Sequence, residues 1–150
     1  MARPNDPFDE AQRQAATAMA DFTQGTYEST YGMRPYDPGM GGRWAGSDSE
    51  LLLRYQGGEE FVLRAYMAPS SFYRLPRPLS GRVVVQDCGS MPFSFEKSSW
   101  REFRLPLRCR LPEGKVLRVR ILLDNTFDLP RLFDRQRSMV VQRAGFGPAS

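Results

Sequence analysis

From Glu50 to the C-terminus the apolar residues fall on every second position, and no helical run interrupts them. A side-chain period of two belongs to the β-strand, because successive Cβ atoms point to opposite sides of the pleat. Leu51, Leu53 and Tyr55 lie on one face of a first strand, and Gly57-Gly58 marks the turn after it. Phe61, Leu63, Ala65 and Met67 face one way in the next strand, with Val62, Arg64 and Tyr66 opposite. Val83 with Val85, Phe93 with Phe95, and Phe103 with Leu105 continue the series, and Leu107, Cys109 and Leu111 extend its inward phase. Leu117, Val119, Ile121 and Leu123 form the strongest strand, and the segment Met139 to Phe146 supplies the last. Short strands between Gly/Pro/Asp/Asn turns predict an all-β fold, read as an antiparallel two-sheet β-sandwich of jelly-roll or immunoglobulin-like topology. Parallel βαβ architecture would need helices between the strands.

The first 42 residues follow another rule and form an N-terminal extension, with the sandwich domain over 43–150. Residues 6–24 read as a helix, with Asp6 as N-cap, Pro7 at the first helical position and Asp9 complementing the dipole. Phe8, Ala11, Ala15, Met19 and Phe22 make one apolar stripe, which Gly25 ends. The stripe is thin and alanine-rich, so such a helix needs a surface to lie on. Residues 25–49 are rich in Gly, Pro and Tyr, including Tyr27, Tyr31 and Tyr36, and read as an extended strap whose tyrosines pack on something.

Chemistry is narrowed by what the chain lacks. It contains no histidine, which removes the commonest general base and the Ser-His and Cys-His nucleophile pairs. Cys88 and Cys109 lack metal-ligand spacing, so no metal site and no cofactor are expected. Gly39 to Gly42 lacks the Lys-Ser/Thr of a phosphate-binding loop, and Glu59-Glu60 reads as a solvated turn. The net charge of +4 is spread along the chain and mixed with 17 acidic residues, which argues against nucleic acid as a partner. No stretch has the roughly eighteen apolar residues of a membrane span, and the N-terminus lacks the apolar run of a secretory signal. A cytoplasmic address is therefore expected.

Pro112-Glu113-Gly114 predicts a hairpin between the strands on either side of it. With the apolar residues inward, Arg108, Arg110, Arg118 and Arg120 share the other face. Like charges opposite one another repel, so either neighbouring carboxylates relieve them or the face meets an anionic surface. Cys109 falls in the inward phase, as a small hydrophobe, and Cys88 in the turn Asp87-Cys88-Gly89. A disulfide between them is disfavoured by the reducing compartment expected above.

Residues 43–143 also carry a set of short motifs in order. These are Arg43-Trp44 before Glu50-Leu51-Leu52-Leu53, Pro76 to Val85, Trp100-Arg101-Glu102-Phe103, Asn125 to Pro130, and Asp134 with Arg137 before Met139-Val140-Val141. In this arrangement the chain resembles the β-sandwich (jelly-roll-like) accessory domain found beside bacterial glycosyltransferases and polysaccharide-biosynthesis proteins. The resemblance implies a sandwich fold and a non-enzymatic role in contacting protein or glycan, and none of its motifs is catalytic. Trp44 and Trp100 read most simply as core or sheet-covering aromatics, ahead of a sugar platform, and Asp134 with Arg137 as an ion pair fixing the last connection.

Two functional expectations follow. The first is a non-enzymatic accessory subunit that docks onto a larger protein assembly, the cytoplasmic face of a membrane complex being one setting for it. Its contacts would be Phe8, Met19, Phe22, Tyr27, Tyr31, Tyr36 and the face of Arg108, Arg110, Arg118 and Arg120. The second is a carbohydrate-binding module using Phe72 and Tyr73 as stacking surfaces and Arg74 and Arg77 as donors.

Overall fold

A computed structural model describes residues 7–23, 27–67, 80–95, 100–108, 111–124 and 139–147. Among the described residues one short helix, α1 (Glu10–Ala15), precedes nine strands. These are β1 (Met19–Asp21), β2 (Thr30–Asp37), β3 (Gly42–Arg54), β4 (Glu60–Met67), β5 (Ser80–Val85), β6 (Gly89–Ser94), β7 (Trp100–Pro106), β8 (Val116–Leu123) and β9 (Met139–Gly147). All pairings are antiparallel, in the order β6-β5-β8-β3-β9-β4-β7, with β1 added to β9 and β2 to β3.

The all-β antiparallel expectation holds, but the two-sheet sandwich does not stand out: one sheet curls nearly into a barrel. The reason lies in β3. It pairs with β9 through Arg43–Ala45 and with β8 through Asp48–Arg54, so a single strand joins what would otherwise be two sheets. Between those stretches the chain kinks at residues 46–49. There the buried Ser49 hydroxyl accepts from the Gly46 amide at 2.9 Å and donates to the Gly32 carbonyl at 3.3 Å. The outer strands β6 and β7 meet across the core through Phe93 and Phe103, whose centroids are 5.1 Å apart.

Inside the barrel the period-two reading is accurate. Leu51, Leu53, Phe61, Leu63, Val83, Val85, Phe93, Phe95, Phe103, Leu105, Leu117, Val119, Ile121 and Leu123 are all buried in one core. Each such side chain contributes about 1.5–3 kcal/mol by leaving water. Leu52 faces outward yet is also buried, because Phe8 and Ala16 pack over it.

That cover shows how the N-terminal extension is used. The helix is much shorter than the expected 6–24. Its N-cap is Asp9, whose carboxylate accepts from the Gln12 amide at 2.8 Å while Gln12 Oε1 accepts from the Asp9 amide at 3.0 Å. Asp6 lies outside the described residues. The helix ends because Arg54 on β3 draws its last carbonyls away, donating to Arg13 O at 3.2 Å, Gln14 O at 3.4 Å and Ala16 O at 3.1 Å. Ala11 and Ala15, placed on the sequence's apolar stripe, are exposed.

From there the chain enters the sheet. Once β3 leaves β9 for β8, a wedge opens between them, and residues 17–23 and 27–31 line it. Phe22 N donates to Gln142 O at 2.9 Å, Phe146 N to Ala18 O at 3.0 Å, Arg54 N to Thr17 O at 2.8 Å and Leu52 N to Ser29 O at 2.9 Å. Gly145 permits the approach of β1, since a Cβ there would come within 2.5 Å of the Ala18 carbonyl. The Tyr27 hydroxyl donates to Leu52 O at 2.7 Å and accepts from the Thr17 amide at 2.9 Å, and burial raises its pKa. The region read as a separate strap is thus part of the barrel's own sheet.

Arg43 holds this arrangement from within. It is 9% exposed, and its guanidinium donates to Arg34 O at 2.6 Å, Thr30 Oγ1 at 2.8 Å, Tyr27 O at 3.2 Å and Met33 O at 3.4 Å. Its Cζ stands 5.5 Å from the centre of the Phe22 ring. Burial lowers its pKa, and among the described residues no carboxylate pairs with it. Carbonyls of the strap take the place of a counter-ion.

Among the described residues the strands on either side of the expected hairpin at 112–114 do not pair with each other: β7 pairs with β4, and β8 with β3 and β5. After Pro106 the chain turns aside, with Leu107 N donating to Glu59 O at 2.9 Å and Arg108 N to Cys88 O at 3.1 Å. The next strand, β8, then inserts between β3 and β5. Cys88 is buried and disulfide-bonded, and among the described residues there is no free cysteine. The chain's one other cysteine, Cys109, lies outside the described residues, and the disulfide reverses the expectation of unpaired thiols.

Two outcomes are expected. Arg43→Leu should lower the free energy of unfolding by about 3 kcal/mol in urea titration, because it leaves four part-buried acceptors without their donor, and Arg43→Lys should recover only part. A change under about 0.5 kcal/mol would contradict the clasp. Thiol titration of the denatured, unreduced protein should find no free thiol, and finding two would overturn the disulfide.

Candidate functional site

The residues that the sequence set aside for a partner are largely used within the molecule. Phe8 and Phe22 are buried, Tyr27 is hydrogen-bonded as above, and Tyr36 is half-buried on β2. Only Met19 at 37% and Tyr31 at 57% remain exposed. The loop of Phe72, Tyr73, Arg74 and Arg77 lies outside the described residues, as do Arg110 and the motifs at 125–137.

The basic face is dispersed too. Arg108 sits off the sheet, exposed, after the end of β7. Arg118 places Nη2 2.6 Å from Glu50 Oε1, and Arg120 places Nη2 2.7 Å from Asp48 Oδ2 and Nε 3.6 Å from Glu50 Oε1. Hydrogen bonding to Asp48 holds the Arg120 pKa above the ordinary arginine value. Glu50 and Arg120 stand opposite each other in the β3–β8 register, so carboxylates answer the charge on β8. Of the two outcomes open to these arginines, neighbouring carboxylates are the one observed for Arg118 and Arg120.

A different surface is left unanswered, on the outside of β4, β7 and β9. The first row across it is apolar: Trp44 lies opposite Val140, Val140 opposite Tyr66, and Tyr66 opposite Trp100. Trp44 and Val140 are buried, and the Trp44 indole donates to Asp37 Oδ2 at 3.0 Å. Tyr66 and Trp100 are half-buried and stacked, with centroids 4.9 Å apart and planes at 30°. Both tryptophans therefore lie on the outside of the sheet in one continuous row.

The adjoining row is charged. Asp21 stands opposite Arg143, Arg143 opposite Arg64, and Arg64 opposite Glu102. The two acids at its ends are engaged elsewhere. Asp21 Oδ1 accepts from the Thr23 amide at 2.9 Å and from its hydroxyl at 2.5 Å. Glu102 Oε2 accepts from Arg104 Nη2 at 2.9 Å, and Arg104 also pairs with Glu60. Neither Arg64 nor Arg143 makes an ion pair among the described residues.

Arg64 is nonetheless held in place. A register shift between Arg64 and Ala65 brings Gln142 alongside, and Arg64 Nε donates to Gln142 Oε1 at 2.7 Å. Its Cζ lies 5.4 Å from the Trp100 ring centre, a cation–π contact of about 0.5–1 kcal/mol. The terminal nitrogens of a guanidinium so fixed are its bidentate fork.

Sequence reading had placed Arg64 and Tyr66 together on the outward phase of their strand and had singled out Trp100. Joining them to Arg143 needs the β4–β7 and β4–β9 registers, which link residues about eighty positions apart and leave no local signal. Chemically the patch can bind but has no nucleophile–base pair. Among the described residues no group of His, Cys, Asp or Glu is placed to hold a metal ion, and no helix is long and apolar enough to cross a membrane. Comparison with protein-family models, with curated proteins and with solved structures finds no match, so the site rests on its own geometry.

Proposed function

We propose that the chain is a non-enzymatic accessory subunit that docks onto a larger protein through the outer face of β4, β7 and β9. The observation that carries this reading is the juxtaposition of Tyr66, Trp100, Arg64 and Arg143. Tryptophan, tyrosine and arginine dominate the energetics of protein interfaces, because they combine large contact area with directed hydrogen bonds. The docking surface thereby moves away from the N-terminal extension, whose apolar residues serve the barrel, and away from β8, whose arginines are paired. The glycan reading draws less support from this face, since the Trp100 ring is already engaged by Tyr66 and Arg64 and offers little open surface to a sugar. The disulfide at Cys88 favours an oxidising compartment over the cytoplasmic address.

Tagged full-length protein purified from its own host should carry one defined protein in stoichiometric amount. Trp100→Ala and Tyr66→Ala should each remove it, with circular dichroism unchanged, while Arg120→Gln on the opposite part of the sheet should retain it. Retention by both aromatic variants would refute docking through this face.

A further inference from the structure

Given a protein partner on this face, as proposed above, we infer that it presents an acidic segment whose carboxylates sit between Arg64 and Arg143. Like charges placed directly across an antiparallel pair destabilise the sheet. Among the described residues three other outward arginines find carboxylates: Arg104 pairs with Glu60 and Glu102, Arg118 with Glu50, and Arg120 with Asp48. Arg64 and Arg143 face each other directly and make no ion pair among the described residues, although Glu102 and Asp21 occupy the flanking register positions. Both acids are turned to other donors, Glu102 to Arg104 and Asp21 to Thr23. A local conflict left standing while its remedies lie alongside is expected where a ligand supplies the missing charge.

Position adds to this. Gln142 and Trp100 fix the Arg64 guanidinium, so little side-chain freedom is lost when a carboxylate arrives. The half-buried Tyr66–Trp100 stack adjoins it and lowers the local exposure to water, which strengthens a charge-assisted hydrogen bond. A carboxylate can accept from two guanidiniums at once, and side chains alternating along an acidic strand or loop would place apolar neighbours over Tyr66.

The test uses the full chain, labelled with 15N, and three probes: a short poly-glutamate peptide, a poly-lysine peptide and an oligogalacturonate. Poly-glutamate should shift amide resonances around Arg64, Trp100 and Arg143, weaken with added salt, and lose affinity by more than about tenfold in the Arg64→Gln/Arg143→Gln double variant. These are surface changes, so an unchanged spectrum elsewhere reports an intact fold. Poly-lysine should not bind. Shifts confined to other faces, or affinity unchanged in the double variant, would overturn the acidic-segment assignment. Tighter binding of oligogalacturonate at the same residues would overturn it in favour of an acidic glycan. Partner recovery that is lost with Trp100→Ala but indifferent to the double variant would leave the docking reading standing and remove this one.

Discussion

A buried guanidinium held by carbonyls, with no carboxylate beside it among the described residues, is the constraint on which the rest of the structure depends. Taking a charge out of water costs several kcal/mol unless every donor finds a partner. Arg43 finds its partners on the strap: the carbonyls of Tyr27, Met33 and Arg34 and the Thr30 hydroxyl. Neither side is satisfied without the other. Without Arg43, strap carbonyls beneath the surface would lack donors. Without the strap, Arg43 would be a naked charge against Phe22 and the core.

The same logic runs along β3. Arg54, at the far end of that strand, gathers the carbonyls that close α1, so two arginines on one strand fasten the first part of the chain at both ends. The strand itself passes from β9 to β8 at the Gly46–Ser49 kink, and Gly32, with φ of +82°, lets β2 follow that kink where a Cβ would collide with the Asp48 carbonyl. Lining the wedge with residues 17–23 and 27–31 gives the amides of Phe22, Leu52, Arg54 and Phe146 their backbone partners as the single sheet curls. With the N-terminal segment committed inward, the outer face of β4, β7 and β9 carries two arginines, Arg64 and Arg143, that face each other and make no ion pair among the described residues.

Much of this architecture was legible in sequence where one face of a strand meets one core. The inward sets on β4, β5, β7 and β8 follow directly from alternation, because a slip of one residue would expose them all. Alternation fails where a strand is covered on both sides: Leu52 breaks the pattern because Phe8 and Ala16 bury its outer face. It also fails at helix length, since Phe8, Met19 and Phe22 share a helical period by coincidence while Arg54 ends the helix at Ala15. Glycine and proline density in 25–49 reads as an extended strap, whereas Gly32, at φ +82°, lets β2 pass close to the Asp48 carbonyl of β3. Strand order was beyond reach: β7 and β8 are neighbours in sequence yet belong to opposite parts of the sheet, so the apparent hairpin was an artefact of proximity. The site shared that limit, since Arg64 and Arg143 meet only through the β4–β9 register.

Native-state hydrogen exchange tests the central claim most directly. If the N-terminal segment is a structural part of the barrel, the amides that bind across the wedge should exchange only through global unfolding. Those amides are Phe22 to Gln142, Leu52 to Ser29, Arg54 to Thr17 and Phe146 to Ala18. Their opening free energies should match those of the β8 amides, at about 5–15 kcal/mol for a domain of this kind. Rapid exchange at these four positions while β8 stays protected would contradict the account, because it would make the segment a detachable tether on a barrel that stands without it.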